Sequence, residues 1–245
     1  MSGTEQAQRK PHPLIDVVIS IVVPSIILMK LSSPEDLGPA GALVTALSFP
    51  IGWGLYELVR NKRKNFIALL GLISVFLTGG IGLLELDTHW LAVKEAAVPG
   101  IIGLAVLGST FTRYPLVQTI MFNRSIIDVD KIQHELEMRG KTEEFNRKLQ
   151  RANYFLAGTF AFSSAMNYIL AKWLVTSPAG TPAFNEELGE MTLLSYPMIA
   201  VPSMIMMLGI MTFLWRTVRG MTGARLEEVI LSLREDEDDD DKARS

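Results

Sequence analysis

Cysteine is absent from the 245 residues, which excludes disulfide, iron–sulfur and thiol chemistry. Histidine is nearly absent, with only His12, His89 and His134. A metal site needs three or four converging ligands. His89 has carboxylates nearby in Glu85, Asp87 and Glu95, and Glu85–His89 is an i, i+4 pair if the turn is helical, but no second imidazole joins it. No metal ligand set is therefore expected. The motifs of common catalysts are missing too. There is no G-x-S-x-G, no H-E-x-x-H, no Walker A sequence and no Ser/His/Asp grouping on one side of a membrane. Enzyme activity, a cofactor and a nucleic-acid partner are not expected.

What the chain has in quantity is apolar sequence. Hydrophobic residues make up 49%, and they are banked in long runs instead of alternating as in a soluble domain. A bilayer core takes about 20 apolar helical residues to cross. Six runs come near that length, at 14–31, 38–59, 66–84, 91–110, 154–175 and 196–215. The fold class expected is all-α, a polytopic transmembrane bundle of six spans arranged as three hairpins.

Residues 1–13 read as a polar, disordered cytoplasmic N-terminus. Spans one to four occupy 14–110, with span 1 acting as a signal anchor because no A-x-A cleavage site follows it. Pro24 is expected to kink span 1. Residues 111–153 form a cytoplasmic amphipathic helical segment. Within it, 128–139 reads as a helix with Ile132 and Leu136 on one face, stopped by Gly140. Thr142 is expected to cap a further helix that runs straight into span 5, with Phe145 and Leu149 sharing a face. Spans five and six occupy 154–215 and are joined by a loop at 176–194. Residues 216–245 form a cytoplasmic tail that ends in seven consecutive acids, 235–241, a solvated and disordered run.

The net charge of −3 hides a strong segregation of Lys and Arg. With both termini cytoplasmic, only Lys30, Lys94 and Lys172 of the 23 Lys and Arg fall on the outer side, each at a helix end. Orientation follows such counts and not net charge. The outer connections are acidic instead, with Glu35, Asp36, Glu85, Asp87, Glu95, Glu186, Glu187 and Glu190.

The chain is organised around 76–95, F-L-T-G-G-I-G-L-L-E-L-D-T-H-W-L-A-V-K-E, the outer end of the second hairpin. Gly79, Gly80 and Gly82 lack the preceding strand and following Lys-Ser/Thr of a phosphate loop. They are expected to pack closely against another helix. Glu85, Asp87, Trp90, Lys94 and Glu95 crowd polar groups at the interface, where Lys94 is expected to pair with Glu85, Asp87 or Glu95. Trp90 and Trp173 have the placement of an aromatic belt. Ionisable groups near the membrane are functional candidates because burying them is costly. Asp16, Glu57, Lys94 and Glu95 all lie within two turns of a boundary, however, so a structural polar rim competes with an ion or proton path. Asn167 lies deeper and suits an interhelical hydrogen bond.

Four stretches in order carry a family resemblance. Gly79-Gly80, the turn with Glu85 and Asp87, then Trp90 and Lys94 are similar to the intracellular septation protein A family of bacterial inner-membrane proteins. Pro115-Leu116-Val117-Gln118 resembles that family's P-L-I-Q after its fourth span. Asn167 followed by Trp173 resembles its A-N-x-x-x-A-x-W, and Phe184-Asn185 resembles its N-F-K loop. The chain departs from the pattern in its extended N-terminus, its 128–151 insertion and its acidic tail, and in Glu186-Glu187, where the Lys is lost. The resemblance implies a sister group of six-span inner-membrane proteins. It implies a non-enzymatic scaffold role in envelope maintenance or cell division, through other membrane proteins or self-association, with no cofactor. The alternative from the residues themselves is a small secondary transporter or channel using rim and intramembrane carboxylates.

Overall fold

The computed structural model describes residues 18–60, 66–112, 115–121 and 128–223. The expectations for residues 1–13, Asp16, the basic run 61–65 and the acidic tail lie outside the described residues, as does that for the side chain of Glu57. The described residues are all-α, with no strand among them. Helix α1 (Val23–Lys30) is preceded by a π-helical turn, Val18–Val22. Then come α2 (Gly38–Arg60), α3 (Phe66–Leu83), α4 (His89–Ser109), α5 (Leu116–Met121), α6 (Val129–Met138) and α7 (Thr142–Leu174). The last, α8, runs Pro182–Thr222 and contains a π turn at Tyr196–Ala200.

Local chemistry accounts for most of the boundaries. Pro24 sits in the first turn of α1, directly after the π turn, so the missing N–H is absorbed by local rewinding. The π turn of α8 contains Pro197 and is followed by Pro202, which disturbs the ladder in the same way. The Asp128 side chain accepts from the Lys131 N–H at 3.0 Å and caps α6. Gly140, at φ +62°, ends α6 in a Schellman arrangement, with Lys141 N–H donating to Leu136 O at 2.9 Å. Helix α7 starts on Thr142 itself, since the Phe145 N–H already donates to Lys141 O. Lys141 therefore holds the cap position expected of Thr142. At 33 residues α7 spans about 50 Å without a break. The expected loop at 176–194 is corrected. Thr181 caps a helix there by accepting from Phe184 N–H, Pro182 takes a first-turn position, and the helix runs on as α8.

Two of these helices, α4 and α8, are long and apolar enough to cross a membrane, and Gly71–Leu83 is a shorter apolar segment. Only 22% and 17% of the respective apolar windows of α4 and α8 are buried within the protein, the opposite of a soluble core helix. Leu104 is 70% exposed, Ile101 67% and Ile205 61%, so the described residues leave these faces largely uncovered.

The chain divides into two compact units. The first comprises Met1–Glu95 and Asn167–Pro197. In it α1 packs on α2 and on the N-terminal part of α8, and α2 packs on α3. Gly189 of α8 lies so close to α1 that a Cβ there would sit 2.9 Å from Ser25 O. The second unit comprises Ala96–Met166 and Met198–Ser245. Its core joins Val106 and Val117 to Ile132 and Leu136 of α6, Phe145, Leu149 and Leu156 of α7, and Ile210, Leu214 and Val218 of α8. The faces read from 128–139 and from Phe145/Leu149 are thus buried together.

Candidate functional site

The polar residues of 76–95, the outer end of the second hairpin, lie in the first unit, each positioned by a helix end or a helix face. Helix α3 ends in a second Schellman arrangement. Leu86 N–H donates to Ile81 O at 2.9 Å and Glu85 N–H to Gly82 O at 3.4 Å. This puts Glu85 at φ +53°, a left-handed position where glycine is usual. The Glu85 side chain lies over Gly180, where a Cβ would come within 2.7 Å of Glu85 Cγ. Gly180 itself is at φ +84°, so two left-handed residues from separate turns meet here. Two residues on, Asp87 Oδ1 accepts from His89 N–H at 2.7 Å and caps α4.

Lys94 follows in the second turn of α4. Its side chain is only 9% exposed. The ammonium meets three oxygens: Glu95 Oε1 at 2.6 Å, Thr78 Oγ1 at 2.7 Å and Ser74 Oγ at 3.3 Å. An ammonium has three N–H donors, so its hydrogen-bonding capacity is met within the protein. Of the three carboxylates expected as partners, Glu95 holds Lys94, while Asp87 turns to the backbone and Glu85 to Gly180. Ser74 and Thr78 were invisible as partners in the sequence, because nothing local joins them to a residue on the next helix.

The glycines divide by face. A Cβ on Gly79 would meet Leu47 Cδ1 at 2.9 Å, and one on Gly82 would collide with Leu43 and approach Phe184 at 3.3 Å. A Cβ on Gly80 meets nothing within 4 Å. The expected packing role of Gly80 is therefore corrected. At about 100° per residue, positions 79 and 82 share a face towards α2 and position 80 turns away.

Asn185 is 1% exposed. Its Nδ2 donates to Pro39 O at 2.7 Å and to Ser32 Oγ at 3.0 Å, tying α8 to the first turn of α2 and to the turn after α1. Next to it, Glu187 gathers four donors. The backbone N–H groups of Thr176 and Ser177 reach Oε2 at 2.9 and 2.8 Å, and their hydroxyls reach Oε1 at 3.2 and 2.7 Å. Partial burial pushes its carboxyl up, but the bonds from Ser177 and Thr176 outweigh this and hold it below the ordinary carboxylate value. Trp90 and Trp173 are 59% and 66% exposed. His89 stacks edge-on against Tyr168, ring centroids 6.4 Å apart. Asn167, partly buried on α7, belongs to the first unit with the rest. Among the described residues no group of three or more His, Cys, Asp or Glu converges as a metal site.

In the second unit, Asn153 is a polar hub that the sequence did not single out. It is fully buried. The two N–H groups of its Nδ2 are shared among Val106 O at 2.7 Å, Thr110 Oγ1 at 2.8 Å and Ser109 Oγ at 3.0 Å, and its Oδ1 accepts from Val117 N–H at 3.0 Å. Ser109 Oγ also accepts from Leu116 N–H. The Pro115-Leu116-Val117-Gln118 stretch is thus the start of a short helix whose first N–H groups are capped by Ser109 and Asn153.

Comparison with protein-family models, with curated proteins and with solved structures finds no match to this chain.

Proposed function

We propose that the chain is a bacterial inner-membrane protein of six spans in three hairpins, with both termini cytoplasmic. It serves as a non-enzymatic scaffold in envelope maintenance or cell division, acting through other membrane proteins or further copies of itself. The membrane reading draws on the uncovered apolar faces of α4 and α8 and on the segregation of Lys and Arg. The scaffold reading draws on one observation above all. Several polar side chains of the first unit are engaged within the protein itself. Lys94 has three protein acceptors, Asn185 bonds two buried oxygens, and Asp87 caps a helix. Engaged in this way, the Lys94 ammonium has all three of its N–H donors taken up within the protein. The motif resemblance to the septation family points the same way. The test is deletion of the gene with imaging of cell shape, complemented by wild type or by Glu95→Gln. Septation or envelope defects rescued equally by both support the scaffold.

A second reading rests on the Lys94–Glu95 pair, whose cation is 9% exposed within an apolar helix. Ion pairs in such places often line transport paths. A saturable flux in proteoliposomes that Glu95→Gln abolishes, with normal folding and normal cell shape, would replace the scaffold with a small secondary transporter or channel.

A further inference from the structure

The second unit carries a groove of about 450 Å³ between α7 and the C-terminal part of α8. Tyr154, Phe155 and Gly158 form one wall, and Met206, Gly209 and Phe213 the other. It is open and apolar, and Phe155 is 60% exposed. The two glycines hollow it out, since a Cβ on Gly158 or on Gly209 would meet nothing within 4 Å. The Phe155 and Phe213 rings meet edge to face, centroids 6.2 Å apart, and fix the register of the two helices.

That register places two cations at one end of the groove. Arg151 lies one helical turn before Phe155, on the same face of α7. Arg216 lies three residues after Phe213, in phase with Gly209 and Phe213 on α8. Because the helices run in opposite directions along the groove, both offsets point the same way, by about 6 Å and about 4.5 Å of axial rise. Both arginines are exposed. Neither has an ion-pair partner among the described residues. The carboxylate nearest in sequence on α7, Glu144, is held by Lys148 at 3.3 Å, and α8 has no Asp or Glu after Glu190. In the orientation set by the Lys and Arg count, this end faces the cytoplasm.

We propose that the groove is a binding site for one anionic phospholipid of the cytoplasmic leaflet. An acyl chain lies along Gly158 and Gly209, and the phosphate is held between Arg151 and Arg216. Charge complementarity favours this occupant over a zwitterionic lipid, and the apolar groove fits an acyl chain, which the acidic run 235–241 of a second copy would not supply. Two guanidiniums at the mouth of an apolar groove, without an ion pair among the described residues, match an anionic headgroup with a chain attached, and arginine binds phosphate through paired N–H groups. This inference rests on the chain being a membrane protein.

The test is native mass spectrometry of the purified full chain in neutral detergent, titrated with phosphatidylglycerol and with phosphatidylcholine of the same acyl chains. Wild type is expected to retain phosphatidylglycerol preferentially. Arg151→Gln or Arg216→Gln should each weaken that retention about fivefold and the pair about thirtyfold, at roughly 1 kcal/mol per basic residue near the headgroups. Arg139→Gln, which removes the cation at the C-terminal cap of α6 that pairs with Glu135, should leave it unchanged. Gly158→Leu fills the groove from open space and should reduce retention of either lipid. The proposal is overturned if wild type retains both lipids equally, a result that needs no variant. It is also overturned if the double variant retains phosphatidylglycerol undiminished, or if Gly158→Leu abolishes a dimer, since the groove would then hold a second copy. Carbonate extraction from native membranes separates the two levels. A chain extracted as soluble sinks the membrane reading and this proposal together, whereas an inserted chain without lipid preference sinks this proposal alone.

Discussion

The side-chain amide of Asn185 donates to the carbonyl oxygen of Pro39 over 2.7 Å, joining residues 146 positions apart. The same amide holds the Ser32 hydroxyl, which in turn donates to Leu28 O at 2.7 Å. Asn185→Ala leaves the Pro39 carbonyl without this donor in a site that is 1% exposed at the asparagine. The expected cost is about 1–3 kcal/mol. Asn185→Asp should do at least as much harm, because it turns a carboxylate towards two oxygens. Melting temperatures of the purified protein check both, and an Asn185→Asp variant as stable as wild type would contradict the tie.

Gly82 and Gly80 should part company on substitution. Gly82→Ala drives a methyl into Leu43 and Phe184, and overpacking of that kind costs about 1–3 kcal/mol. Gly80→Ala enters open space and should change stability by no more than about 0.5 kcal/mol. Cellular accumulation with melting temperature would show the contrast, and equal losses at the two positions would contradict the assignment of faces.

Glu85 occupies a left-handed position that costs a side-chain-bearing residue about 1–2 kcal/mol. Glu85→Gly should therefore raise stability by up to about 1 kcal/mol while removing the carboxylate over Gly180. A more stable variant that fails to rescue cell shape would mark Glu85 as kept for function at the expense of the fold. A less stable variant would show that its contact with Gly180 outweighs the strain.

The bonds to Glu187 predict a pH dependence. Its carboxyl is held below the ordinary carboxylate value when folded and returns to that value when unfolded. Its contribution is therefore complete above the unfolded value and is lost as pH falls through the folded one. Melting wild type and Glu187→Gln from pH 7 down to pH 3 should show wild type ahead at neutral pH and the gap closing in the acid range. A gap that widens on acidification would contradict the assignment.

Rules of short range made much of the second unit legible in the sequence. Asp128, Gly140 and the spacing of Ile132 and Leu136 define α6 to within a residue, because caps and helical periodicity act over one turn. The continuity of α7 follows from the lack of any breaker between Thr142 and the apolar run. The 176–194 stretch reads as a loop because Asn185, Glu186 and Glu187 have loop composition, although Thr181-Pro182 is a helix start signal of the same local kind. The polar partners were less legible. Asn153 gathers four groups from 106–117, and Lys94 reaches Ser74 and Thr78, only after separate helices have packed. The glycine run has the same limit, since a 100° step shows that 79 and 82 share a face but not which helix that face meets.

Periplasmic and cytoplasmic reporters fused after Arg60, Asp87, Gly140, Gly180 and Lys242 test the proposed membrane topology most directly. Six spans with cytoplasmic termini predict the order in, out, in, out, in. A periplasmic reporter active at Gly140, the stop of α6, would place the segment holding eight Lys and Arg outside and contradict the account.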